Sequence, residues 1–266
     1  MRRTLIVIIL LFAAGLLQAQ NYTQLDSLMN VYVVAMRSES PESKKAETDY
    51  MIGSAKDSLT RQHIALYLFD YYKQSPLMGE EEIAIHIYDF WIKSGKVAMR
   101  SEFDEMDAQL FADFNRSSLL GMQAPAIELY GVCGSKTAIP QKGKSALIWF
   151  YDVNCGKCKL EAELFPKVLE KNVILPINFY AVYTGQSKKE WRAFRRTFKV
   201  RDRKIKLVHL WDPEIESNYL KLYGVISTPK LYMVESDGII IGRRLELENL
   251  PEMFKLDNII SHSNSL

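Results

Sequence analysis

The chain has 266 residues, of which 48% are apolar and 25% charged, with a formal net charge of +2. That length holds two modest domains of about 100–150 residues, and the apolar fraction is ordinary for a globular protein. Both surplus charges are Arg2 and Arg3, ahead of the first acidic residue, Asp26. Without its first residues the chain is neutral, which excludes any charge-based case for nucleic acid or anionic lipid as partner.

Met1-Arg2-Arg3 is a short basic start, Leu5 to Leu17 an apolar core, and Ala19 a small residue suited to cleavage. Residues 1–19 therefore read as a secretory signal peptide. The apolar run falls short of the ~20 residues a membrane span needs, so no stable span is expected after cleavage. The arginine pair directly follows the initiator Met before a very apolar core, which favours the general export route over the twin-arginine one. No cysteine precedes Cys133, so no lipid-modified N-terminal cysteine is expected. The expected location is periplasmic, where disulfides persist and a dithiol needs a dedicated electron source or sink.

Residues 21–118 read as a helical domain. Leu25, Leu28, Met29, Tyr32 and Met36 share one face of a first helix, and Pro41 suits the first position of a second. A third starts near Asp57-Ser58 and is apolar nearly all round from Ile64 to Tyr72, as a buried centre would be. Gly79 to Glu82 places acidic residues at a helix start, where the dipole favours them. Ile83, Ile87 and Phe90 form one stripe of that helix, Tyr88 and Ile92 another, and Ser94-Gly95 ends it. Ser101 opens a last helix with Phe103, Met106, Leu110 and Phe114 in line. His63, His86, His209 and His262 are scattered without metal-site spacing and read as packed or surface residues.

Residues 119–266 alternate. Ala126 to Tyr130 and Lys136 to Ile139 read as a hairpin around Cys133, and the run Ala146 to Tyr151 as a buried strand. A helix follows to about Lys171, with Leu160, Leu164, Val168 and Leu169 at helical spacing. Val173 to Tyr183 reads as a long strand, and Ser187 to Glu190 resembles a capping box opening a helix through Phe198. Ile205 to Leu210 is a strand, Asp212 to Tyr223 a helix, and Lys230 to Val234 with Ile239 to Ile241 a hairpin. A helix over about 250–260 closes the chain. The pattern predicts a mixed sheet with helices on both faces.

Cys155-Gly156-Lys157-Cys158 lies between the buried strand and its helix. Cys155 falls just before the helix and Cys158 one turn inside it. Free N–H groups and the dipole at a helix start favour an anion, hence a thiolate nucleophile at Cys155. Lys157 adds a positive charge nearby. Cys158 is placed to resolve a mixed disulfide on Cys155.

Strand, Cys-Gly-Lys-Cys, helix, and Thr228-Pro229 before a later strand together resemble the thioredoxin fold, and more narrowly the exported TlpA-like thiol:disulfide interchange proteins, over roughly 119–260. The resemblance implies an α/β thioredoxin domain behind an all-α domain of unreadable role, as in some exported bacterial proteins. It implies a protein-disulfide reductase with Cys155 as nucleophile, Cys158 as resolving thiol and Pro229 as a cis-proline that docks substrate. Gly156, Lys157 and Thr228 support them. The redox-active Cys155–Cys158 disulfide serves in place of a cofactor; no metal is expected. The implied partners are a disulfide-containing protein and an upstream electron donor. The alternatives are a binding module with a structural disulfide, or zinc or copper on the same cysteines. The sequence departs from thioredoxins at Asn154, where many carry Trp, and at Trp149, where thioredoxin has a buried Asp. Asp152, Glu161 and Glu163 are substitutes for that carboxylate, each more simply read as a surface residue, and the proton-transfer group is unassigned. Cys133 reads as a free thiol in a hairpin loop.

Overall fold

A computed structural model describes residues 22–263. The leader read at 1–19 lies outside the described residues. Among those described, no helix is long and apolar enough to cross a membrane. The chain divides into two compact units, one up to Ser75 and over Glu82–Met106, the other over Pro76–Glu81 and from Asp107 onward.

The first unit is helical. α1 covers 22–35, α2 Pro41–Gly53 and α3 Ser58–Gln74; α4, Glu81–Ile87, continues into a π-turn over Tyr88–Ile92. Ser40 caps α2 by accepting the Ser43 N–H, with Pro41 at the first helical position, and Asp57 caps α3 by accepting the Thr60 N–H. α3 buries Ile64, Ala65, Leu66, Leu68, Phe69 and Tyr72, as its all-round apolar pattern requires. α5 spans Glu102–Asn115 and belongs to the second unit from Asp107 onward. The expected stripe on this helix is not its buried face. Phe103, Met106 and Leu110 are exposed, whereas Ala108 and Ala112 are buried, because small side chains permit close approach.

The second unit holds a seven-stranded sheet of order β2-β1-β5-β4-β3-β6-β7. Its strands are β1 Ile127–Tyr130, β2 Lys136–Ile139, β3 Ser145–Tyr151, β4 Ile177–Tyr183, β5 Ile205–Trp211, β6 Lys230–Val234 and β7 Ile240–Gly242. β3, β4 and β5 run parallel; β6 pairs antiparallel with β3, β7 with β6, and β1 with β2 and β5. Between them lie the helices α6 Gly156–Asn172, α7 Lys188–Thr197 and α8 Tyr219–Leu222, and α9 Leu250–Ser263 follows β7. β3 is buried along its whole length because both faces are covered. Leu147, Trp149 and Tyr151 point into a core shared with α6, α7 and α9; Ala146, Ile148 and Phe150 point into another with Tyr219 of α8. This two-residue alternation, on a strand whose one polar residue, Ser145, donates to the buried Asp257 carboxylate, gives the sheet covered on both faces that the sequence implied.

Several boundaries differ from the sequence reading. α6 runs to Asn172 and Val173 caps it, its N–H donating to Leu169 O, so β4 begins only after Pro176. The helix expected from Asp212 shrinks to α8. The Asp212 carboxylate accepts the N–H groups of Glu216 and Ser217, and Ile215 and Asn218 sit at φ +56°, which breaks a helix. The second unit also reaches further back than Leu119. Buried Arg243 donates to Asn115 at 2.7 Å and lies 3.7 Å from the buried carboxylate of Glu81, which ties Pro76–Glu81 and the end of α5 to the sheet.

Candidate active site

The site forms where β3 ends and α6 begins. Asp152 O accepts the Cys155 N–H at 3.2 Å and the Asp152 carboxylate accepts the Asn154 N–H at 2.6 Å, which turns the chain over the strand end. Cys155 is the N-cap of α6, with extended backbone, and its Sγ accepts the Cys158 N–H at 3.2 Å. Sulfur thus occupies the place that an oxygen takes in an ordinary N-cap, and an anion there satisfies a helix-start N–H. From the other side the loop before β6 approaches: the Thr228–Pro229 peptide is cis, and the Cys155 thiol donates to Thr228 O at 3.4 Å. Cys155 and Thr228, 73 residues apart in sequence, therefore meet with Cys158 and Pro229 at the ends of the interior strands β3 and β6. Neither sulfur is in a disulfide.

The two thiols ionise in opposite senses. Burial pushes Cys155 up, but hydrogen bonds from the Cys158 thiol and N–H, the Thr228 side chain and the Lys157 N–H outweigh it, so its pKa falls below the ordinary thiol value. Cys158 is 2% exposed; burial, then its bond to Cys155, pushes it up to about 12. Lys157 contributes its backbone N–H. Its ammonium is paired with Glu246 at 2.7 Å, and that bond raises the lysine's own pKa.

The buried face of α6 is Cys158, Glu161, Phe165 and Leu169. Leu160 and Leu164, which the spacing had suggested, are exposed. Both stripes have helical period; only the sheet beneath selects one. Glu161 is consequently not a surface carboxylate. It is 4% exposed, one turn beyond Cys158, and accepts the Trp149 indole N–H at 2.8 Å. Burial raises its pKa, opposed by the Trp149 bond and the charge of Lys157. Trp149, at the strand position where thioredoxin keeps an Asp, thus holds a carboxylate that arrives from the helix instead. Asp152 is engaged with the loop backbone.

A shallow apolar depression of about 370 Å³, with Tyr151, Val153, Phe194 and Cys158 in its wall, adjoins the thiols. Cys133 is an exposed free thiol in the β1–β2 turn. His63 lies 2.5 Å from Asp26 and His86 2.9 Å from Asp49, while burial lowers His209 to about 4. Among the described residues, no three His, Cys, Asp or Glu gather as a metal-binding group.

Residues 135–246 match the model of the thioredoxin-like domain family. A comparison with curated proteins finds no match. Among solved structures, a thioredoxin-like protein from Bacteroides caccae is similar at 13% identity and a TM-score of 0.59, over 81% of this chain and 76% of that one. The thioredoxin domain of a thiol-disulfide oxidoreductase from Bacteroides vulgatus is 20% identical over 53% of this chain and 98% of its own, with a TM-score of 0.46. A domain of a possible thiol-disulfide isomerase from Cytophaga hutchinsonii is 24% identical over 56% and 99%, with a TM-score of 0.45. At these identities the likeness is one of fold, and it rests on the family match and the first of these structures.

Proposed function

We propose, from the premise that residues 135–246 are a thioredoxin-like domain, that the chain is an exported thiol-disulfide oxidoreductase that reduces protein disulfides. The observation that carries this reading is the Cys155 sulfur standing as helix cap on the Cys158 N–H, ionising easily, while the Cys158 thiol behind it holds its proton. The Cys155 thiolate attacks one sulfur of a substrate disulfide. An S–S bond forms to Cys155, and the other substrate sulfur leaves as a thiolate that takes up a proton. Cys158 then loses its proton and attacks Cys155 Sγ; the Cys155–Cys158 disulfide closes and the second substrate thiol departs. Two electrons have passed from the dithiol to the substrate. An upstream dithiol donor must return them, so the cysteine pair serves where another enzyme would use a bound cofactor.

Glu161, buried on the same helix face one turn on, is placed to take the Cys158 proton; a carboxylate with a raised pKa is a better base than an ordinary one. Pro229 brings no N–H to the sulfurs and leaves Thr228 ahead of β6 for an incoming peptide. Export is inferred from the basic start and apolar run before Ala19. Trapping tests the scheme. Cys158→Ser is expected to accumulate a mixed disulfide on Cys155 in the native host, and Cys155→Ser to abolish exchange. A titration of the pair against glutathione that shows no reversible two-electron couple would overturn it.

A further inference from the structure

A cleft of about 500 Å³ opens beside Pro229, with Lys157, Lys230, Arg244, Glu246 and Asn249 in its wall. It is the polar counterpart, near the thiols, of the apolar depression beside Cys158. Most of its charges are already matched. Lys157 is paired with Glu246 at 2.7 Å, and Arg244 Nε with Glu81 at 3.0 Å. Arg243 behind the wall has Asn115 and Glu81. Lys230, the first residue after the cis peptide, has no carboxylate within ion-pair distance among the described residues. Burial, then Arg243 and Arg244, pull its pKa down, with only Glu81 opposing. A half-buried ammonium facing two guanidinium groups is costly without a counter-ion. Arg244 holds its position at φ +50°, a left-handed conformation that a non-glycine residue adopts at a cost. Strain and an unmatched charge thus coincide in one cleft.

What fills this cleft is constrained by its position. The Thr228 carbonyl lies 3.4 Å from Cys155 Sγ, and Pro229, the next residue, lines the cleft, so a substrate joined through sulfur to Cys155 would have the cleft within reach. We propose that the cleft is a subsite for an acidic residue: it receives the carboxylate of an Asp or Glu flanking the target disulfide, on the ammonium of Lys230 with Arg244 beside it. The inference rests on the thiol-disulfide reading above and adds the substrate's chemistry to it. A chain that is neutral once its leader is removed has no general field to attract acidic partners, so selection falls to this local charge.

The test uses the pre-reduced full-length protein and synthetic peptides with one intramolecular disulfide. Asp or Asn is placed in turn at each of the two positions before and after one cysteine. At one position or more, the second-order rate constant for oxidation of the protein dithiol by the Asp peptide is expected to exceed that for the Asn peptide about 10-fold, as a charge-assisted contact provides. The ratio is expected to decrease at ~1 M salt, by less than for an exposed pair because Lys230 is partly buried. Lys230→Met is expected to bring the ratio near one and Lys230→Arg to keep it. Near-UV circular dichroism checks that both variants fold, and the wild-type ratio with its salt dependence decides even if neither does. Equal rates for Asp and Asn peptides at every position, or a preference that survives Lys230→Met, removes the subsite and leaves the oxidoreductase. No reaction with any peptide removes both.

Discussion

Cys155 and Cys158 carry the same thiol three positions apart, and their surroundings pull their ionisation in opposite directions. A thiolate fraction rises as pH passes the pKa, so a lowered pKa moves alkylation to lower pH. In Cys158→Ser, the iodoacetamide rate at Cys155 is expected to reach half its plateau below the ~8.5 of a free cysteine. In Cys155→Ser, Cys158 is expected to react slowly through the neutral range, from burial alone. A Cys155 midpoint at or above the free value counts against the capping argument. Glu161, buried one turn beyond Cys158, is the base proposed above for the Cys158 proton. Its deprotonated form is the base, so resolution of the mixed disulfide is expected to quicken as pH rises through its raised pKa. Glu161→Gln is expected to slow that step about 100-fold and flatten its pH profile, the lower end of what a positioned base contributes. Stopped-flow decay of a preformed mixed disulfide measures both; an unchanged profile means that water takes the proton.

At the scale of elements, the site depends on how its strands and helices begin and end. The period-two burial of β3 delivers Tyr151 and the loop after it to the strand end, and the Cys155 cap fixes where α6 starts. The loop bearing Thr228 and Pro229 is set in turn by Gly224 at φ +58°, four residues earlier, where a Cβ would lie 2.5 Å from Phe114 O. Gly224→Ala combines a left-handed backbone with a clash against main chain. It is expected to cost on the order of 2–3 kcal/mol in urea unfolding. Removing the α7 cap with Ser187→Ala, which loses the bond to the Glu190 N–H at 3.3 Å, is expected to cost about 1 kcal/mol and leave Cys155 alkylation unchanged.

At the scale of the whole molecule, the unit that holds the sheet is not continuous in sequence. Glu81 and Asn115 both reach Arg243, which is among the largest fully buried side chains, so residues far ahead of the sheet complete its core. Removing one member of a buried charge set leaves the other without a partner. Glu81→Ala is expected to cost about 3 kcal/mol or more, with Arg243 and Arg244 both released, measured as a fall in the urea midpoint. A loss below about 1 kcal/mol, the range of exposed pairs, means that these guanidinium groups find other acceptors.

The sequence by itself determined the place of the cysteine pair between a strand and a helix, the position of Thr228-Pro229 before a later strand and the alternation that makes a sheet covered on both faces. Each is a matter of spacing or period along a continuous stretch, so local chemistry suffices to read it. The phase of α6 on the sheet, and with it the inward turn of Glu161, came only with the tertiary structure, since two stripes of that helix satisfy the same period. So did the engagement of Lys157 by Glu246, the shortened α8, the joining of Pro76–Glu81 to the second unit and the unmatched charge of Lys230. Those outcomes depend on which distant residue reaches a group first, and a linear pattern carries no such distances.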